Sequence, residues 1–297
     1  MMNIEEVAEK TYVLETPVPG LETNFSVYLI NSGPGVLLEP GPAAAVPAIL
    51  KGMAQIGMKT IDYVIPTHIH IDHAGAVGKL AQLFPKASVV IHPRGAKHAI
   101  DPSRLIQGTK MAFGDDFQTR YGEILPVPES QVKIPADGEV IEIGDRGLKV
   151  IYAPGHAPHH MAVFDEKTRG LFAGEALGTP VPGSESFILP SAAPPIFDIE
   201  EYLETIGKLR KLAPACLFYS HDGVGKEPDA LISLVVKNTK AFGDLILKAL
   251  KEKQSQEAIE GIVQKEILAR SGHKGEALMV TMAVAGYTAY YQKKELV

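Results

Sequence analysis

From Thr67 to His73 the chain reads THIHIDH, placing three histidines and an aspartate within six residues and only isoleucine between them. Imidazole and carboxylate are the side chains that bind borderline divalent metals, zinc and iron above all. In an extended segment, residues of equal parity face the same way, so His68 and His70 can grip one ion together. A turn into a helix beginning near Ala74 swings Asp72 and His73 towards a second position. The small residues Ala74 and Gly75 let that helix start close to the site, where its N-terminus could orient an anionic substrate group.

A metal site needs further ligands, and the chain offers them at three later turns. The apolar run Lys149–Ala153 leads into PGHAPHH, which carries His156, His159 and His160. Gly170–Ala173 leads into Gly174 and Glu175, and Cys216–Ser220 leads into His221, Asp222 and Gly223. Four times, a strand of buried character ends at a turn bearing histidine or carboxylate. Strand ends in a packed sheet hold polar side chains rigidly while leaving one side open to substrate. This recurrence outweighs the plainer reading of THIHIDH as an exposed tract that binds metal only by accident. Glu175 has a plain alternative as a surface carboxylate. Of His159 and His160, one is expected behind the ligands and one at the surface, with either able to contact substrate. His92, His98 and His273 have no recognisable partner and are expected at the surface.

The elements that must position these residues follow from periodicity. Thr11–Leu14, Phe25–Ile30 and Gly35–Leu38 read as successive strands, followed by a helix over Ala44–Ile56. The buried-type run Ile61–Ile65 enters the first motif, with a helix at Ala74–Leu83 and a strand at Ser88–His92 after it. Residues 101–130, with the aromatics Phe113, Phe117 and Tyr121, read as a less regular excursion over the surface, placed where it could lie over a site. Strands resume at Val140–Ile143, Lys149–Ala153, Met161–Phe164 and Gly170–Ala173. A loop rich in proline and glycine covers 178–195, then come the helix Ile199–Leu212 and the strand Cys216–Ser220. From about Pro228 the pattern is helical. Such an order implies layered α and β elements, with a main domain over 1–227 and a C-terminal helical region over 228–297.

Taken together, His-x-His-x-Asp-His after an apolar strand, then Gly-His, an acid after a short strand, and a final histidine resemble the metallo-β-lactamase superfamily over roughly residues 10–225. The resemblance implies an α/β fold, a four-layer αββα sandwich with a small C-terminal helical appendage, and a site at one end. It implies two divalent ions, zinc first, with iron or manganese as alternatives. His68, His70 and His156 would bind one ion, and Asp72, His73 and His221 the other. Glu175 stands where the superfamily usually has the aspartate that bridges the pair. Glu39, in LLEPG, stands where an Asp-Thr-Gly turn is common, and would orient ligands from behind. Two ions about 3.5–4 Å apart can share a water and bring its pKa towards neutrality; Asp72 would then both ligate and orient the hydroxide. The compact spacing is similar to the glyoxalase II and lactonase branches, which implies a thioester or lactone substrate. A di-iron protein that binds or senses oxygen, and a phosphodiesterase, are the alternatives. The C-terminal helices are similar to winged-helix-like caps, which narrow a substrate mouth or form a dimer surface.

Composition limits the rest. The chain has 297 residues and a formal charge of -6, which gives no general attraction for nucleic acid or anionic lipid. A small-molecule substrate is the expected partner. The charged start, MMNIEEVAEK, lacks the apolar core of a secretion signal, and the tract Leu278–Tyr291 is shorter than the ~20 residues that span a bilayer. One cysteine, Cys216, permits no internal disulfide and reads as a small core residue. The expected compartment is the cytoplasm.

Overall fold

Alternation along the strands builds the molecule. In β3 (Asn24–Asn31) Val27 and Leu29 point to one side and Tyr28 and Ile30 to the other, and all four are buried. A strand that is apolar on both faces must be covered on both. Val27 and Leu29 join a cluster with Val46, Ile49 and Met53 of helix α1 (Val46–Gln55). Tyr28 and Ile30 instead meet Val150, Met161 and Phe172 of a second sheet. Each fully buried side chain of this kind stabilises the fold by roughly 1.5–3 kcal/mol.

The computed structural model describes residues 4–17, 24–114, 116–184 and 187–297, apart from the side chains of residues 112 and 113. The first sheet runs in the order β1 (Ile4–Ala8), β2 (Thr11–Pro17), β3, β4 (Gly35–Leu38), β5 (Tyr63–Ile65), β6 (Ser88–Val90) and β7 (Val132–Lys133). The second has the order β15 (Val224–Gly225), β14 (Cys216–Tyr219), β11 (Gly170–Gly174), β10 (Met161–Asp165), β9 (Arg146–Tyr152) and β8 (Val140–Ile143). A small hairpin, β12 (Thr179–Pro180) with β13 (Ile188–Leu189), lies apart from both.

Helices cover the outer faces. Against the first sheet pack α1, α3 (Val77–Leu83) and α4 (Pro93–Ile100). Against the second pack α7 (Ile199–Arg210), α8 (Pro228–Lys251), α9 (Gln256–Ser271) and α10 (Ala277–Lys293), in one apolar cluster with Ile151, Phe164, Leu171 and Leu217. The result is the four-layer αββα sandwich, with the C-terminal helices forming part of its last layer.

Three expectations need correction. Residues 101–130 do lie over the candidate site but are not irregular: they hold α5 (Ser103–Phe113) and α6 (Phe117–Tyr121). Phe117 and Tyr121 pack with Phe25, Ile71 and Ile124; the Phe113 side chain lies outside the described residues. Helical structure after the first motif begins at α2 (Ile71–Ala74), so Asp72 and His73 sit on the helix rather than on a turn before it. His92 is not at the surface. It is buried, its ring centroid is 4.3 Å from that of Tyr152, and its Nδ1 accepts from the Arg94 backbone at the start of α4. Cys216 is half-buried.

Candidate metal centre

Strand direction explains why distant turns meet. β4, β5 and β6 are parallel, so their carboxyl ends share one edge, delivering Glu39 and the segment from Thr67. In the second sheet β11 and β14 are parallel, and β10 runs against both β9 and β11. The turns holding His156, Glu175 and His221 therefore also emerge at one edge. The two sheets are tied there: the Met161 backbone donates to the Thr67 carbonyl at 2.7 Å, and Ser26 to the Ser220 carbonyl at 2.9 Å.

Two groups of ligand-type side chains result. The first holds His68, His70, His156 and Glu175; the second holds Asp72, His73 and His221. In the first, His68 Nε2 lies 2.8 Å from His70 Nδ1, and His156 Nε2 lies 3.3 Å from each. Ligands held tetrahedrally at about 2.0–2.1 Å from zinc stand about 3.3 Å from one another. In the second, Asp72 Oδ2 is 3.4 Å from His73 Nε2 and 3.7 Å from His221 Nε2. Glu175 Oε2 faces both groups, 2.9 Å from His156 Nε2 and 3.5 Å from both His68 Nε2 and His73 Nε2. All seven residues singled out in the sequence as ligands thus converge.

The placement of protons fixes where the lone pairs point. Thr67 Oγ1 donates its only proton to Glu39 Oε1 at 2.5 Å. Its contact with His68 Nδ1 at 3.1 Å must then be accepted by the hydroxyl, so His68 Nδ1 carries hydrogen and Nε2 does not. Glu39 Oε2 accepts from His73 Nδ1 at 3.0 Å, and His156 Nδ1 donates to the Ser191 carbonyl at 2.8 Å. Each outer contact turns an Nε2 lone pair inward. His73 Nε2 is buried and has no hydrogen-bond partner, as a nitrogen reserved for a cation would be. Glu39 thereby sets ring orientation in both groups at once. Changing Glu39 to Gln puts an NH2 group where an acceptor is needed, and metal affinity is expected to fall about 10–100-fold. A metal titration with the fold monitored by circular dichroism checks this; unaltered affinity would remove Glu39 from the site.

Electrostatics favour a cation. Burial, reinforced by the neighbouring imidazoles, holds His68 well below the usual histidine range, and burial with His156 brings His70 to about 4. Both are neutral and able to ligate at pH 7. Burial would raise Asp72, but His73 and His221 outweigh it and hold its carboxyl at about 2. Burial alone would lower His73, yet Asp72 and Glu39 lift it well above its ordinary value. The surrounding carboxylates therefore draw a proton to His73 Nε2, the atom that faces Asp72 and Glu175. A divalent ion would compete for the same lone pair, so its uptake would release that proton and tighten as pH rises.

Backbone shape supports the ligands. Gly155 precedes His156 at φ +120, and a Cβ there would overlap the Tyr202 backbone. Gly174 precedes Glu175 at φ +56, and a Cβ there would lie 2.6 Å from both His160 Nε2 and Thr67 Oγ1. His160 is fully buried, and its Nε2 accepts from the Glu175 backbone at 3.1 Å. It stands behind the ligands. His159 is half-buried, with its ring 5.5 Å from that of His70. His98 is half-buried and His273 exposed. Sequence reasoning missed the Ser191 carbonyl and Tyr202, whose hydroxyl donates to the Glu175 carbonyl at 3.1 Å. A loop carbonyl leaves no signal in residue type. A tyrosine in an amphipathic helix reads only as core.

Strand β2, facing the turn after β14, holds a further titratable group. Glu15 is half-buried, and its carboxylate accepts from Ser26 Oγ at 2.8 Å. Burial, with the Asp222 charge, pushes it up to about 7 against that hydrogen bond. The folded state keeps this proton through a window where the unfolded chain has lost it. Stability therefore falls as pH rises from about 4.5 to about 7, by roughly 1.4 kcal/mol for each pH unit crossed. Glu15→Gln is expected to raise stability by about 2–3 kcal/mol at pH 8 and by little at pH 4. Denaturant unfolding at both pH values checks this.

The layered fold and the paired ligand groups at its edge define a class of metal-binding α/β proteins. A family model of the metallo-beta-lactamase superfamily matches residues 21–221, and the chain belongs to that superfamily. It is 29% identical over 168 residues to a metallo-beta-lactamase fold-containing protein of Sulfurisphaera tokodaii, covering 55% of this chain and 61% of that one. The match thus spans less than two thirds of that relative. It is 28% identical over 160 residues to a hydroxyacylglutathione hydrolase of a Synechococcus species, covering 54% of this chain and 51% of that one. A crystal structure of a metallo-beta-lactamase family protein from Thermus thermophilus shares the fold with TM-score 0.72 at 20% identity, over 98% of this chain and 95% of that one. No helix among the described residues is long and apolar enough to cross a membrane.

Proposed function

We propose that the protein is a binuclear metal-dependent hydrolase acting on a carbonyl ester-type bond, a thioester or a lactone. The observation that carries this reading is Glu175, which turns one oxygen to both ligand groups at the floor of a cavity of about 580 Å³. When bound, two divalent ions would acidify water and polarise a carbonyl oxygen. His68, His70 and His156 would hold one ion and Asp72, His73 and His221 the other, with Glu175 between them. Zinc is the first assignment on the histidine-rich donor set, while the carboxylates Asp72 and Glu175 keep iron or manganese in view.

The remaining work falls to the chain's own groups. Asp72 is ionised, lines the cavity and is accessible from it, so it can accept a hydrogen bond from the attacking water and aim it. Glu39 and His160 hold ligands in place without reaching substrate. The similarity to a hydroxyacylglutathione hydrolase supports transfer of an acyl group to water.

The test is turnover by metal-loaded protein on thioesters, lactones and phosphodiesters. Cleavage of a thioester or lactone, lost on chelation and restored by metal, is expected. Preference for a phosphodiester would move the protein to another reaction. Oxygen uptake with a visible absorption band and no ester cleavage would make it a di-iron oxygen protein instead.

A further inference from the structure

The cavity above the site is built from two unlike sides. One is α5 and α6, seated on the small cluster of Phe25, Ile71, Phe117, Tyr121 and Ile124 through Leu105 and Ile106. The other is residues 189–196 with α10, seated on the helical face of the second sheet. The second side is almost wholly apolar: Leu189, Ala193, Ile196, Leu278, Met279 and Met282 all line it. Methionine thioethers are flexible and accommodate chains of varying shape. The first side carries Arg104, exposed at the rim and the one lysine or arginine on the lining among the described residues. The floor holds His70, Asp72, His156, Glu175 and His221.

These three features constrain a substrate together. Its reacting carbonyl must lie over the floor, so its two substituents extend along the two sides. An apolar substituent gains by burial against α10 and residues 189–196. An anionic substituent that extends away from the floor gains beside Arg104. At about 30 Å³ per heavy atom, a cavity of about 580 Å³ takes about 19 atoms. That is room for a chain of about ten carbons together with the reacting group and its leaving group.

The geometry points to an amphiphilic acyl ester or thioester as the substrate class: a medium-length apolar acyl chain against α10 and an anionic leaving group at Arg104. This rests on the hydrolase reading and narrows it. α10 lies beyond the residues 21–221 matched to the superfamily, whereas Arg104 and residues 189–196 lie within them, so the apolar side joins the C-terminal helices to the shared part of the fold. Water is added across the acyl bond, giving the carboxylic acid and the protonated leaving group, with no other reactant.

The experiment uses the full-length, metal-loaded protein and two series of saturated acyl thioesters, from two to twelve carbons. One series is built on neutral N-acetylcysteamine, the other on anionic 3-mercaptopropanesulfonate. Uncleavable thioether analogues of both series are measured by calorimetry. Affinity is expected to rise up to about fourfold per added methylene until the cavity is full, and the anionic series to bind up to about fivefold tighter than the neutral one. Arg104→Gln should bring that anionic-to-neutral ratio to about one, and Met282→Trp should shift the preferred chain to fewer carbons. Affinity independent of chain length, or an Arg104→Gln loss equal in both series, overturns the inference. If the analogues bind as expected but no thioester is cleaved, the hydrolase reading fails instead, and the ligand class stands.

Discussion

His68→Ala is expected to remove at least one ion and to bring hydrolysis close to the uncatalysed background, with the fold retained. His68 lies at the centre of the first ligand group, 2.8 Å from His70, 3.3 Å from His156 and 3.5 Å from Glu175. Its outer nitrogen is held through Thr67 to Glu39, so no other side chain can rotate into its place. The sandwich itself rests on three apolar clusters that do not include the ring. What is lost in stability is the packing of one imidazole, chiefly against His73 at 4.0 Å and His70 at 4.4 Å between centroids. Metal content by mass spectrometry, kcat/KM and a thermal melt on one preparation separate the outcomes. Full metal content in the variant would remove His68 from the ligand set.

Glu175→Asp is expected to have the next largest effect, lowering kcat/KM by about 10–100-fold or costing one ion of the pair. Shortening the side chain by one methylene withdraws its oxygen by about 1.5 Å from a point shared by three ring nitrogens. The backbone cannot follow to compensate. It is pinned by His160 Nε2 on the amide and by the Tyr202 hydroxyl on the carbonyl. Glu175→Gln keeps the length and removes the charge, so the pair of variants separates reach from electrostatics. Unchanged stoichiometry and rate in both would leave Glu175 as a carboxylate beside the site.

The site was legible in the sequence because ligation demands particular atoms at strand ends. Histidine and carboxylate after an apolar run are rare enough to stand out, and four such turns in order marked the edge where parallel strands finish. The αββα layering was legible for a related reason. Strands such as β3 that are apolar on both faces, alternating with helical stretches, admit few arrangements. The misses have physical causes too. α5 and α6 have mixed sequences whose apolar residues meet only a small local cluster, so periodicity gave them no contrast. The N-terminal strand β1, IEEVA, has only partial burial and reads as polar. His92 is buried by Tyr152, a neighbour far along the chain, and no local pattern announces such a contact. The relay from His68 through Thr67 to Glu39 depends on which atom holds a proton, which residue types alone do not specify.

The most direct test of the account is the number of divalent ions held per chain after purification under defined metal supply, read by elemental mass spectrometry alongside thioesterase activity. The account predicts about two ions per chain, with activity rising as the second is taken up and vanishing under chelation. Protein that takes up no ion, or that cleaves thioesters equally well when stripped, would contradict it.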